Sequence, residues 1–256
     1  MDFLRINQAV WDKNVENSNI WTQPVSTEEI IKAKNGEWHI VVTPIKEVPR
    51  EWFPELLKGR EILCLASGGG QQGPILAATG ASVTVFDNSQ NQLIQDMMVS
   101  QRDDLGIKTV KGDMRDLSVF ENDSFDVIVH PWSNVFIDDV LPVWKEAYRV
   151  LKKGGILISG FGNPIEYIFD LDKMNAGELV VRHKIPYSDL TSISTDELND
   201  LVLNQGEAIV FGHSLEDQIA GQIKAGFLIG GFYEDISGSP LNEYINTSIA
   251  TKAIKL

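Results

Sequence analysis

Three consecutive glycines, Gly68 to Gly70, and an acid at Asp87 have the types and spacing to hold a nucleotide. Glycines turn the chain tightly and let a ligand approach bare backbone. An aspartate at the tip of the next strand can accept from the two hydroxyls of a ribose. Gly68, Gly70 and Gly73 spell G-x-G-x-x-G, with Asp87 following 14 residues after Gly73. That fingerprint belongs to dinucleotide enzymes. The same geometry also serves S-adenosylmethionine, with the glycine turn at the methionine part and the acid on the ribose.

The elements that must carry these residues are readable around them. Ile62 to Leu65 is a continuous apolar run, the pattern of a strand buried on both faces. A helix follows, with Pro74 in its first turn and Gly80 as its stop. A second strand, Ser82 to Phe86, ends at Asp87, and Ser89 caps a helix that runs to about Leu105 and stops at Gly106. Strands are expected at Lys108 to Lys111, before Gly112-Asp113-Met114, and at Phe125 to Val129, before His130-Pro131-Trp132. Open α/β sheets bind ligands at such carboxyl ends of strands. An amphipathic helix over Asp138 to Lys153, closed by Gly154-Gly155, leads to a strand at Ile156 to Ser159. Residues 161–193 read as irregular and carry Tyr167, Phe169 and Tyr187. Ser194 with Glu197 and Ser214 with Asp217 cap two further helices. The second should turn Leu215, Ile219 and Ile223 inward and stop at Gly226. Strands at Phe227 to Tyr233 and about Thr247 to Lys255, joined without a helix, predict an antiparallel pair at a sheet edge.

Ahead of the first strand, residues 1–60 hold Trp11, Trp21, Trp38 and Trp52. This leader is expected either as a lid over the site or as a collar packed on the sheet's flank. Ser26 with Glu29 forms a capping box for a short helix ending at Asn35-Gly36.

Length and composition bound the class. A chain of 256 residues, 43% apolar and 23% charged, suits one α/β domain over 1–256, with a cap at 1–60, a core at 61–256 and an insertion at about 161–210. No apolar run reaches the roughly 18 residues of a membrane span. The first residues, MDFLRINQAVWDKN, lack the apolar centre of a signal peptide. The one cysteine, Cys64, excludes an internal disulfide and suits a reducing cytoplasm. With four scattered histidines (His39, His130, His183, His213), no metal is expected. A net charge of −14 opposes a nucleic-acid partner.

From Leu63 to Gly160, and again in the closing strands, the chain resembles the class I S-adenosylmethionine-dependent methyltransferases. The resemblance rests on the glycine turn, Asp87, Gly112-Asp113-Met114, the run Arg149 to Gly155 and the final pair of strands. A nicotinamide oxidoreductase accounts for the glycine turn but not for Arg149 to Gly155 or the closing pair. The stretches LCLASGGGQQGPILA, WTQPVS and GHSLEDQIAGQIKAGF are similar to a bacterial branch whose core is near the ubiquinone and menaquinone biosynthesis methyltransferases. The resemblance implies a Rossmann-like, doubly wound, mostly parallel sheet of seven strands with an antiparallel C-terminal edge strand. It implies S-adenosylmethionine as cofactor, S-adenosylhomocysteine as product and a small-molecule methyl acceptor. A non-catalytic S-adenosylmethionine-binding protein is the other function class.

Carried over by position, the cofactor residues are Ala66, Ser67, Gly68, Gly69, Gly70, Gln72, Asp87, Asn88, Asp113, Met114 and His130. Cys64 stands where the family often has an acid that orients the loop, so Gln71 or Gln72 is expected to supply polar contacts instead. His130 is also the candidate general base. Trp21, Trp132 and Tyr167 are candidates for an apolar acceptor pocket. His130-Pro131-Trp132 lacks the amide or acid with which amino-directed nucleic-acid methyltransferases hold their target.

Overall fold

A computed structural model describes residues 2–256. Its strands are β1 (Glu61–Leu65), β2 (Ser82–Asp87), β3 (Lys108–Lys111), β4 (Phe125–His130), β5 (Leu151–Gly162), β6 (Tyr187–Ser188), β7 (Phe211–Gly212), β8 (Phe227–Asp235) and β9 (Ser248–Lys255). Seven of them form one sheet in the order β3-β2-β1-β4-β5-β9-β8, and β6 pairs with β7 separately. The first five are parallel, while β9 runs antiparallel to both β5 and β8. The strand order reverses between β1 and β4, which opens a crevice above their carboxyl ends.

Alternation along the strands divides the core into two layers. Ile62 and Cys64 of β1 face a cluster built with α2 (Thr27–Lys34), α3 (Gln72–Ala78) and α4 (Gln90–Asp103), entered after α1 (Phe3–Glu16). Leu63 and Leu65 face the opposite cluster, dominated by Trp144 on α5 (Leu141–Val150). Residues 2–16 were given no helix from the sequence. α1 is held nonetheless: buried Asn7 donates to Phe136 O at 3.2 Å and Ile209 O at 2.9 Å, and accepts from Ile209 N–H at 2.8 Å.

The expected 138–153 helix is shorter, because α5 ends at Val150 and Leu151 already pairs with Phe125. Lys152 therefore closes no helix; its Nζ reaches Asp126 at 2.8 Å. Beyond β5 come the short helices α6 (Leu171–Asn175), α7 (Asp189–Ser192), α8 (Thr195–Asn199) and α9 (Gly221–Ala225). The capping boxes at Ser26 and Ser194 form as expected.

The inward face before β8 is not the expected one. Leu215 and Ile223 are 41% and 55% exposed, while Gln218 and Gln222 are buried. Residues 216–220 wind as a π-helix, whose wider turn rotates the stripe away from its α-helical setting. The buried amides join a polar chain from Asn134 through Gln218 and Gln222 to Thr251.

Candidate functional site

A cavity of about 600 Å³ opens at the carboxyl ends of β1, β2 and β4, roofed by α1 and by residues near Trp21 and Val41–Pro44. Its volume lies in the usual range for a small-ligand site, about 300–1,000 Å³. Of the residues singled out from sequence, Ala66, Ser67, Gly68, Gln72, Asp87, Asn88, Asp113, Met114, Trp21, Trp132 and Tyr167 line it. Gly69, Gly70 and His130 do not.

Asp87 ends β2 with its carboxylate turned into the glycine turn. Oδ2 accepts from Gly68 N–H at 2.9 Å and Oδ1 from Ser89 N–H at 2.8 Å. Burial pushes its carboxyl up, and those two amides draw it back down. A carboxylate has about four lone-pair sites, so both oxygens keep capacity for a ligand's hydroxyls. Gly68 is obligatory here: a Cβ on it would stand 2.7 Å from Gln92 Cβ and 3.2 Å from Asp87 Oδ2. Bare backbone and an oriented acid on one wall fit the ribose end of an S-adenosyl cofactor. Ala66, where the family's first glycine would stand, has φ +46°. An L-residue there carries roughly 1–2 kcal/mol of strain.

Two expected contacts are partly engaged within the protein. Asn88 donates its amide to Leu4 O at 3.2 Å and so helps seat α1. Asp113 is gripped by Arg115, whose Nε lies 3.1 Å from both carboxylate oxygens. Tyr167 stacks on Tyr187 with ring centroids 6.0 Å apart and packs against two glycines. A Cβ on Gly212 would meet its Cγ at 2.6 Å, and one on Gly162 its hydroxyl at 3.2 Å. Burial raises the pKa of that hydroxyl, which keeps it protonated. Trp132, beside Gly162, sits at φ +40°, a left-handed setting that costs an L-residue energy and marks a constrained strand end.

His130 is behind the wall. It is fully buried, with Nδ1 2.8 Å from Leu65 O and Nε2 2.7 Å from Asn134 Oδ1. Burial lowers its pKa. With both nitrogens engaged and no surface on the cavity, the ring has no route to an acceptor's proton, which corrects the general-base expectation. The leader's tryptophans divide: Trp11 and Trp21 line the cavity, whereas Trp38 stacks edge-on to Phe53 and Trp52 packs on Tyr233.

Several residues at the site were not singled out from sequence. Asp12 on α1 accepts from Ser89 Oγ at 2.6 Å and Asn91 N–H at 3.0 Å, bolting α1 to the start of α4 behind Asp87. Gln92 and Asp96 on α4 are buried against the glycine turn. The capping serine at 89 was legible, but no local spacing signals its partner at position 12. The charged side chains on the wall are Asp87, Asp113 and Glu207; no Lys, Arg or His lies among the described residues lining it. No helix among the described residues is long and apolar enough to cross a membrane.

Residues 63–159 match the family described as "Methyltransferase domain". A Bacillus subtilis (strain 168) protein, "Uncharacterized methyltransferase YbaJ", is 58% identical over 250 residues, covering 98% of this chain and 97% of that one. Demethylmenaquinone methyltransferase of Clavibacter sepedonicus is 36% identical over 107 residues, 41% of this chain and 43% of that one. Sterol 24-C-methyltransferase erg6 of Aspergillus fumigatus is 32% identical over 102 residues, 39% of this chain and 27% of that one. Among solved structures, an S-adenosylmethionine-dependent methyltransferase from Mesorhizobium loti shares the fold, with TM-score 0.62 at 17% identity over 80% of this chain and 95% of that one. Sheet order, glycine turn, strand-tip acid and a full-length relative agree: the chain belongs to the class I S-adenosylmethionine-dependent methyltransferases.

Proposed function

We propose that this enzyme methylates a small, apolar acceptor that carries no negative charge. The carrying observation is the cavity lining, where Trp132, Tyr167, Val42, Pro44, Phe136 and Val210 give apolar surface and the charged residues are all acidic. Recognition of a carboxylate or phosphate ordinarily uses Arg or Lys. An anionic group left unpaired in such a site would lose its hydration without compensation. Two relatives that match about two fifths of the chain are named for apolar acceptors, a sterol and demethylmenaquinone, in agreement with this reading.

When bound, S-adenosylmethionine supplies a methyl group already activated at a sulfonium. The chain's part is then alignment and exclusion of water. Asp87 would hold the ribose, Gly68 would give close backbone approach, and Asp113 and Met114 would stand at the adenine. α1 with Trp11 and Trp21 covers the site. Tyr167 donates toward an oxygen or nitrogen of the acceptor, and no buried base is required of His130.

Matched naphthalene probes test the charge claim. Titrated calorimetrically into protein saturated with S-adenosylhomocysteine, 2-naphthol and 2-naphthylmethylamine should bind at least about tenfold more tightly than 2-naphthoate, a gap of roughly 1.4 kcal/mol. Equal or tighter binding of the carboxylate overturns the acceptor class while leaving the cofactor assignment standing.

A further inference from the structure

We propose that Asp96, reaching across from α4, is the positioning residue that holds the glycine turn in its cofactor-binding shape. It rests on the cofactor assignment above. The turn needs holding: Gly69 and Gly70 have φ of +112° and +74°, and glycines leave many other conformations open. Its own strand offers little. Cys64 on β1 is fully buried, and burial raises the pKa of its thiol, which leaves a neutral, weakly hydrogen-bonding group.

Asp96 fills that part from another element. It is fully buried, and Oδ2 accepts from Gly69 N–H at 3.0 Å. Burial pushes the Asp96 carboxyl up to about 8, against the pull of the Gly70 and Gly69 amides that face it. The group therefore accepts from the turn largely as a neutral carboxyl near pH 7. Successive amides of a turn point into one concavity, and here an oxygen of the protein's own carboxyl group occupies it. The turn is thereby closed from beneath, in keeping with the absence of Gly69 and Gly70 from the cavity wall. Gly69 N–H is shared with Gln92 O at 3.1 Å, and Val25 N–H ties down Gly70 O at 2.9 Å, so Asp96 completes a clamp made with backbone groups.

The carboxyl also enters the space between β1 and α3. A Cβ on Gly73 would stand 3.1 Å from Asp96 Oδ1 and 3.9 Å from Cys64 Sγ. Position 64 and position 96 thus border one small space, and a carboxyl group can reach it from either side. Cys64 and Asp96 divide the labour, the strand supplying packing and the helix supplying the acceptor.

The test moves the carboxyl group. S-adenosylhomocysteine affinity, ligand-free melting temperature and amide exchange at Gly69 and Gly70 would be measured in the parent, in Asp96→Ala and in Cys64→Asp/Asp96→Ala. Asp96→Ala should bind at least about tenfold more weakly, the scale of leaving a buried amide without its acceptor, and exchange both amides faster without ligand. The double variant should recover most of the affinity, to within about threefold of the parent, which a merely structural residue would not allow. Asp96→Ala that melts lower yet binds within about twofold of the parent overturns the proposal. Should Asp96→Ala fail to fold, the double variant decides alone: folded but still weak in binding, it overturns the proposal. A parent that does not bind S-adenosylhomocysteine refutes the cofactor assignment instead, and the exchange rates of ligand-free protein still report on the anchor.

Discussion

Asp87→Ala is expected to weaken S-adenosylhomocysteine binding by at least about tenfold, and by several hundredfold if both ribose hydroxyls are held. Each hydrogen bond to a charged group contributes about 1.5–3 kcal/mol, and each 1.4 kcal/mol is about tenfold in affinity. Read from sequence, Asp87 is a solvent-facing strand tip whose loss should hardly alter the ligand-free protein. Its bonds from Gly68 N–H and Ser89 N–H change that expectation. Removing the carboxylate strands both amides, at about 2 kcal/mol or more together, which for a chain of this size lowers the melting temperature by roughly 4–8 °C. Asp87→Asn keeps an oxygen acceptor without the charge and should fall between parent and alanine in both measurements. Calorimetric titration beside ligand-free melting curves separates the two roles. Lowered stability with intact affinity would make Asp87 a structural clamp and remove the ribose contact from the account.

Gly160→Ala should be the most destabilising single methyl in the protein. A Cβ there would stand 1.8 Å from Val42 O and 2.5 Å from Val42 C, so backbone and not a movable side chain blocks it. The 42–46 segment cannot easily retreat, because Asp235 Oδ2 accepts from Thr43 Oγ1 at 2.8 Å, Ile45 N–H at 3.0 Å and Lys46 N–H at 2.7 Å. Overpacking costs about 1–3 kcal/mol and sometimes more. At about 3 kcal/mol the melting temperature falls by roughly 6–12 °C. Val41–Pro44 also line the cavity, so apolar probe binding should suffer more than S-adenosylhomocysteine binding. Melting within about 2 °C of the parent would contradict the seating of this segment on β5.

The parts of this fold that speak through local rules were legible in the sequence. Buried parallel strands appear as the apolar runs at 62–65 and 125–129, and serines three residues ahead of glutamates announce capping boxes. The glycine turn and Asp87 could be read together because a strand, a turn and a helix fix their distance. What escaped reading depends on long-range partners. α1 hides a polar residue, Asn7, on its buried face, justified only by the backbone of residues 136 and 209. Asp96 reads as one acid on a polar helix until the glycine turn is folded against it. His130 was correctly placed at the end of β4, but only the fold shows Leu65 and Asn134 closing off both its nitrogens. The π-turn at 216–220 shifted a stripe that α-helical spacing would have set differently. The acceptor wall is built from segments as distant as Val42, Trp132, Tyr167 and Val210, and no spacing rule joins those.

The central claim, methyl transfer to a small apolar molecule, meets its most direct test in turnover with radiolabelled methyl donor. Protein and S-[methyl-³H]adenosylmethionine would be incubated with a cell extract, then separated into an organic-soluble phase, an aqueous small-molecule phase and precipitated macromolecules. The account predicts enzyme-dependent label in the organic phase, greatly reduced with Asp87→Ala. Label confined to protein, nucleic acid or anionic metabolites, or no transfer to any fraction by protein that binds S-adenosylhomocysteine, would contradict it.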